Sequence, residues 1–134
     1  MAKERLDAEL VEEFVNAAHV DLNRVNELLA SHPSLINAAW DWGEGDWETG
    51  LGGAAHMGRR DIALVLLDSG ARLDVFAAAM LGYIEFVRSA ISNRPDVIDV
   101  LGPHGIPLLS HAEAGGDHAA EVLAFLKEHA AARG

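Results

Sequence analysis

The chain has no cysteine. Disulfides, thiol nucleophiles and thiolate metal sites are therefore excluded. It is also short of positive charge: ten Lys+Arg stand against twenty-one Asp+Glu, a formal net charge of −11. A surface this acidic repels phosphate backbones, so no nucleic-acid partner is expected. No basic amphipathic segment suits an anionic membrane surface. The longest apolar runs, such as Val75–Leu81, are far too short to span a bilayer. Met1-Ala2-Lys3-Glu4-Arg5 leads into an acidic helical pattern without an apolar signal core. The expectation is a cytoplasmic protein with no membrane partner.

What is present is a chain of 134 residues, half of them apolar. That length suits one domain, residues 1–134, with enough apolar content for a core. The apolar residues recur at helical spacing. Asp7 can cap a helix to about Ala18, with Leu10, Val11, Phe14 and Val15 on one face. His19-Val20-Asp21 is a turn, and a second helix runs from Asn23 to Ser31. Pro33 stops it, because proline lacks an N–H and clashes with the preceding turn. From Thr49 to Asp74 the same plan returns more clearly: T-G-L-G-G-A-A-H-M-G-R-R-D-I-A-L-V-L-L-D-S-G-A-R-L-D. Two helical patterns flank Met57-Gly58-Arg59, with Ile62, Val65 and Leu66 as the core face of the second. Small pairs mark the recurrence: Ala17-Ala18 maps to Ala54-Ala55, 37 positions on, then to Ala78-Ala79, 24 on, then to His111-Ala112, 33 on.

This pattern resembles the ankyrin repeat, whose motif reads T-P-L-H-x-A-A, a Gly-containing turn, V-x-L-L, then G-A, with a period of about 33 residues. Thr49, Leu51 and Ala54-Ala55 match it, as do Ile106-Pro107-Leu108-Leu109 in the last copy. Gly50 and Gly52 stand where the motif has proline and histidine, so the helix they open is expected to be weak. The resemblance implies an all-α, ankyrin-like solenoid of about four helix-turn-helix repeats, roughly residues 5–38, 39–74, 75–99 and 100–134. The first linking segment, residues 34–48, is a long projecting finger with Gly43 and Gly45 as breakers. The third repeat is irregular and finger-less, since Asp74 runs straight into Val75. The last helix is expected to start at Asp117 as its cap and to turn Lys127, Glu128 and His129 outward.

Short chemical motifs fail on their context. His111-Ala112-Glu113 has the spacing of a zinc deaminase, but that site needs two cysteines. No H-E-x-x-H occurs. Asp41 to Asp46 is acidic but lacks oxygen side chains at the third and fifth positions of a calcium loop, and Gly43-x-Gly45 does not open a phosphate-binding helix. The adjacency of Ser110 and His111 does not make a catalytic pair. No metal and no cofactor is expected.

What remains follows from topology. The resemblance implies a concave groove lined by the residues before each inter-helix turn: His19-Val20, His56-Met57, Met80-Leu81 and Glu113-Ala114. Met57, Met80 and Leu81 are apolar there, and adjoining exposed apolar residues mark binding surfaces. The resemblance also implies a recognition module that grips a protein partner through its fingers and groove. The alternative is a small-molecule-binding protein or acid–base enzyme, acting on an apolar small molecule in a notch left by the missing finger. Trp40, Trp42 and Trp47 would wall that notch against His104, with His56 beside them and Asp41, Glu48 and His104 as acid–base candidates. Such a pocket requires at least one indole to face the His104 loop. Whether the chain is an enzyme is left open.

Overall fold

A computed structural model describes residues 3–133, with no account of the Arg133 side chain. Among these residues there are eight α-helices in four consecutive pairs: α1 (Ala8–Ala17) with α2 (Leu22–Ser31), α3 (Gly50–His56) with α4 (Arg60–Asp68), α5 (Val75–Leu81) with α6 (Ile84–Asn93), and α7 (Leu108–Ala114) with α8 (Ala120–Arg133). A two-stranded antiparallel hairpin, β1 (Ala39–Asp41) and β2 (Trp47–Thr49), precedes α3. No described helix is long and apolar enough to cross a membrane.

Local chemistry explains the starts. The side chains of Asp7, Asp21, Thr49 and Asp74 each accept a backbone N–H from the first turn of α1, α2, α3 and α5, the usual way to satisfy orphan donors at a helix N-terminus. Proline-led 3-10 turns at Pro33–Asn37 and Pro95–Asp99 follow α2 and α6. The turns after α3 and α5 need left-handed backbone, supplied by Gly58 and Gly82. The last pair departs from expectation. Residues Gly116–Ala119 form a 3-10 turn, so α8 begins at Ala120 and Asp117 is not its cap. His129 is half-buried, its ring 4.3 Å from that of Phe125.

The first helices of the pairs lie side by side in the order α1, α3, α5, α7. Small residues on α3 and α5 allow the close approach. Gly50 is one: a Cβ there would meet the Phe14 ring. Side chains bind successive pairs at their turns. Arg59 Nη1 donates to the Val20 carbonyl and Arg60 Nη1 to that of Leu81. Asn37 bonds the Gly70 carbonyl and the Arg72 N–H. The core forms two clusters, one around Phe14, Leu51, Ile62 and Leu66, the other around Val87, Leu108, Val122 and Leu126. Met80 and Leu81 are buried in the first. They are not free groove residues: α5 passes directly between its neighbours, with no hairpin ahead of it to hold them apart.

Candidate functional site

The hairpin register sorts its residues into two faces. Trp40 lies opposite Glu48, and Asp41 opposite Trp47. Residues directly opposite share a face and successive ones alternate. Trp40 therefore packs against the first core cluster, and Glu48 points inward with it and is 1 % exposed. Trp47 faces away and is 61 % exposed. Asp41 also faces away and turns into its own loop, where Oδ1 accepts the N–H groups of Gly43 and Gly45 at 2.9 and 3.0 Å. Asp41 is thus a loop-closing residue and not part of an acid–base set.

Glu48 is the centre of the site. Three imidazole Nε2 atoms converge on its carboxylate: His19 at 3.0 Å from Oε1, His104 at 3.3 Å from Oε1, and His56 at 3.1 Å from Oε2. The Trp42 indole N–H donates to Oε1 at 2.9 Å. His19 follows the end of α1, and its Nδ1 lies 2.7 Å from the Val15 carbonyl, one of the free carbonyls of that helix end. His56 is the last residue of α3. His104 sits in the 101–107 loop, closed by a bridge between Leu101 and Pro107. Its φ of 63° is left-handed, a conformation uncommon for a residue other than glycine. Asp46 holds it there: Oδ1 accepts the His104 backbone N–H and Oδ2 meets ring Nδ1, both at 2.7 Å. A strained residue gripped this way is the kind of feature that collects at functional sites.

The expected residues therefore divide. Trp42, Glu48, His56 and His104 meet; the Trp42 and His104 ring centroids are 5.8 Å apart. Trp40, Trp47 and Asp41 lie elsewhere. Met57 and Glu113 are exposed at the ends of their helices, while Met80 and Leu81 are covered. His19, expected to line the groove, and Asp46, which was not among the candidate site residues, complete the cluster. His19 did carry a signal: it stands 37 positions before His56, the same offset as the alanine pairs that precede them. Asp46 carried none, because only the fold brings it to His104. Within the cluster the Glu48 side chain is fully covered, while the His104 side chain is 32 % exposed.

Burial works to raise the Glu48 pKa, but contacts from His19, His56 and Trp42 prevail and hold it well below the ordinary carboxylate range. The Glu48 hydrogen bond raises the pKa of His19 against the opposing effect of burial. The two shifts set a stability window. The lowered Glu48 contributes stability above its unfolded pKa of about 4.5, lost as pH falls further; the raised His19 contributes below about 6.5, lost as pH rises through its folded value. The protein should thus have its highest Tm between about pH 4.5 and 6.5, with stability declining as pH rises beyond that. A Tm that climbs steadily to pH 8 would contradict the His19–Glu48 pairing.

No protein-family model, curated protein or solved structure matches the chain.

Proposed function

We propose that the chain is an ankyrin-like solenoid of four repeats with a finger-less third, and that it works as a cytoplasmic ligand-binding protein. Its site is the notch between the 39–49 hairpin and the 101–107 loop. One observation carries this reading: the Nε2 atoms of His19, His56 and His104 lie 3.0–3.3 Å from the buried carboxylate of Glu48. A buried polar cluster costs stability unless every member is satisfied, yet Glu48 Oε2 and His56 Nε2 lie 3.1 Å apart without the alignment of a hydrogen bond. Lone pairs from imidazoles and a carboxylate together suit an electron-poor ligand, a cation. The burial of Met80 and Leu81 weighs against the groove as a protein-docking surface.

The Trp42 indole touches Glu48 and provides the test. Cation binding should change Trp42 fluorescence, measured in a Trp40→Phe, Trp47→Phe background, across a panel of divalent metals, ammonium ions and guanidinium. Absence of any response in that panel would remove the ligand reading. A second reading keeps a protein partner, gripped by the fingers. It is favoured by Trp47 and Leu101, both well exposed, beside a cleft of about 370 Å³ that also includes Phe76 and Pro103. Under it, Trp47→Ala should abolish partner capture and leave the Trp42 response intact.

A further inference from the structure

Two of the three imidazoles have their tautomer set from behind. A carbonyl oxygen can only accept, so His19 Nδ1 must carry the proton that goes to Val15. The Asp46 carboxylate imposes the same on His104 Nδ1. In the neutral rings, Nε2 then bears a lone pair, and on both residues it points at Glu48 Oε1, another lone-pair donor. Acceptors do not face one another at 3.0–3.3 Å unless a proton or another electron-poor centre lies between them; one protonated ring, His19, answers its own contact with Glu48 and leaves those of His56 and His104 unanswered. Protonating every ring would place three imidazolium charges around one covered carboxylate. A single divalent ion satisfies all of them and balances the charges of Glu48 and Asp46.

We propose that His19, Glu48, His56 and His104 form a binding site for one divalent transition-metal ion of the zinc class. This rests on the ligand reading of the same notch and names the ligand. The spacing fits. Four ligand atoms, one from each residue, lie within 4.8 Å of one another, and the imidazole–carboxylate separations are 3.0, 3.1 and 3.3 Å. Tetrahedral zinc with bonds of about 2.0–2.1 Å sets neighbouring ligands about 3.3–3.4 Å apart, so to admit the ion the imidazole–carboxylate pairs open by a few tenths of an ångström and the wider pairs, within 4.8 Å, draw in. The separations leave no room for an organic cation without larger movement. The outer contacts are also those of a metal site. Histidine ligands are commonly held through the other ring nitrogen by a carbonyl or carboxylate, here Val15 and Asp46, and the Trp42 N–H steadies the ligating carboxylate. Three imidazoles with one carboxylate suit zinc, cobalt or nickel; magnesium and calcium prefer all-oxygen sites. Gly53 belongs to the same design: a Cβ there would lie 2.6 Å from His19 Cε1, so only glycine leaves the ring its place.

The test uses the full chain without a histidine tag, stripped with chelator and titrated with Co²⁺. One equivalent should produce the visible d–d bands of tetrahedral cobalt, displaced by Zn²⁺ and unaffected by excess Mg²⁺ or Ca²⁺. Asp46→Asn should weaken affinity about 10–100-fold, the usual cost of losing an outer-shell partner. His56→Gln should abolish the bands, while His118→Gln, outside the cluster, should leave them unchanged. Far-UV circular dichroism and Tm confirm folding of each variant. Should His56→Gln not fold, Gly53→Ala takes its place, with displaced His19 expected to lose the spectrum. Bands that persist in the cluster variants would overturn the proposal. So would silence toward Co²⁺ while guanidinium or ammonium ions still alter Trp42 fluorescence, an outcome that would leave the ligand reading standing. Silence toward every cation would overturn both.

Discussion

Glu48→Ala should destabilise chelator-treated protein by about 3–5 kcal/mol, the range found when one partner of a buried ionic cluster is removed. The reason lies in what is left behind. His19, His56, His104 and the Trp42 N–H all direct polar atoms at the carboxylate, which is covered completely. Truncation leaves them facing a void that their own rings restrict. Glu48→Gln should cost less, because an amide oxygen still accepts the Trp42 N–H and the NH₂ group can donate to a neutral imidazole. The alanine cost should be larger near pH 6, where His19 with its raised pKa is charged, and should diminish as the pH rises toward 8 and beyond through that raised value. Urea unfolding of both variants at the two pH values measures this. A loss under about 1 kcal/mol at pH 6 would mean that Glu48 is not held by the histidines.

Leu66→Ala should cost about 2–5 kcal/mol, the penalty of a buried leucine deletion with its cavity. Leu66 lies on α4, fully buried in the cluster that also contains Leu51, Ile62, Ala77 and Met80. Those neighbours come from α3, α4 and α5, so the cavity opens where one helix pair meets the next. Because helices on three sides are braced by other contacts, the site has little freedom to collapse. Denaturant midpoint at constant m-value gives the number. The two losses should add in the double variant with Glu48→Ala, provided the notch and the α4 core do not share a relaxing element. A midpoint change below about 1 kcal/mol for Leu66→Ala would place α4 in a different register.

Local chemistry carried the helices into view from the chain alone. Apolar spacing, the cap Asp7, the stop at Pro33 and the turn at Gly58 are all decided within a few residues of where they act. The direct passage from Asp74 into α5 was legible for the same reason. Errors fell where a choice was not local. Asp117 has cap chemistry, but the tight Gly116–Ala119 turn takes the chain through a 3-10 step before α8. Met80 and Leu81 read as groove residues by position, yet the packing of α5 between α3 and α7 covers them.

The site divides in the same way. The sequence determined that histidines recur before two turns and that acidic residues and tryptophans crowd one linking segment. It could not determine which carboxylate went where. Asp41, Asp46 and Glu48 are chemically alike and nearly adjacent, and only the strand register sends Glu48 inward and Asp41 outward. Only the approach of the 101–107 loop, 58 positions away, makes Asp46 the holder of His104. Side-chain chemistry is a property of the residue, but convergence on one point depends on how α1, the hairpin, α3 and the loop are stacked, and that is settled by the buried surfaces of the whole fold.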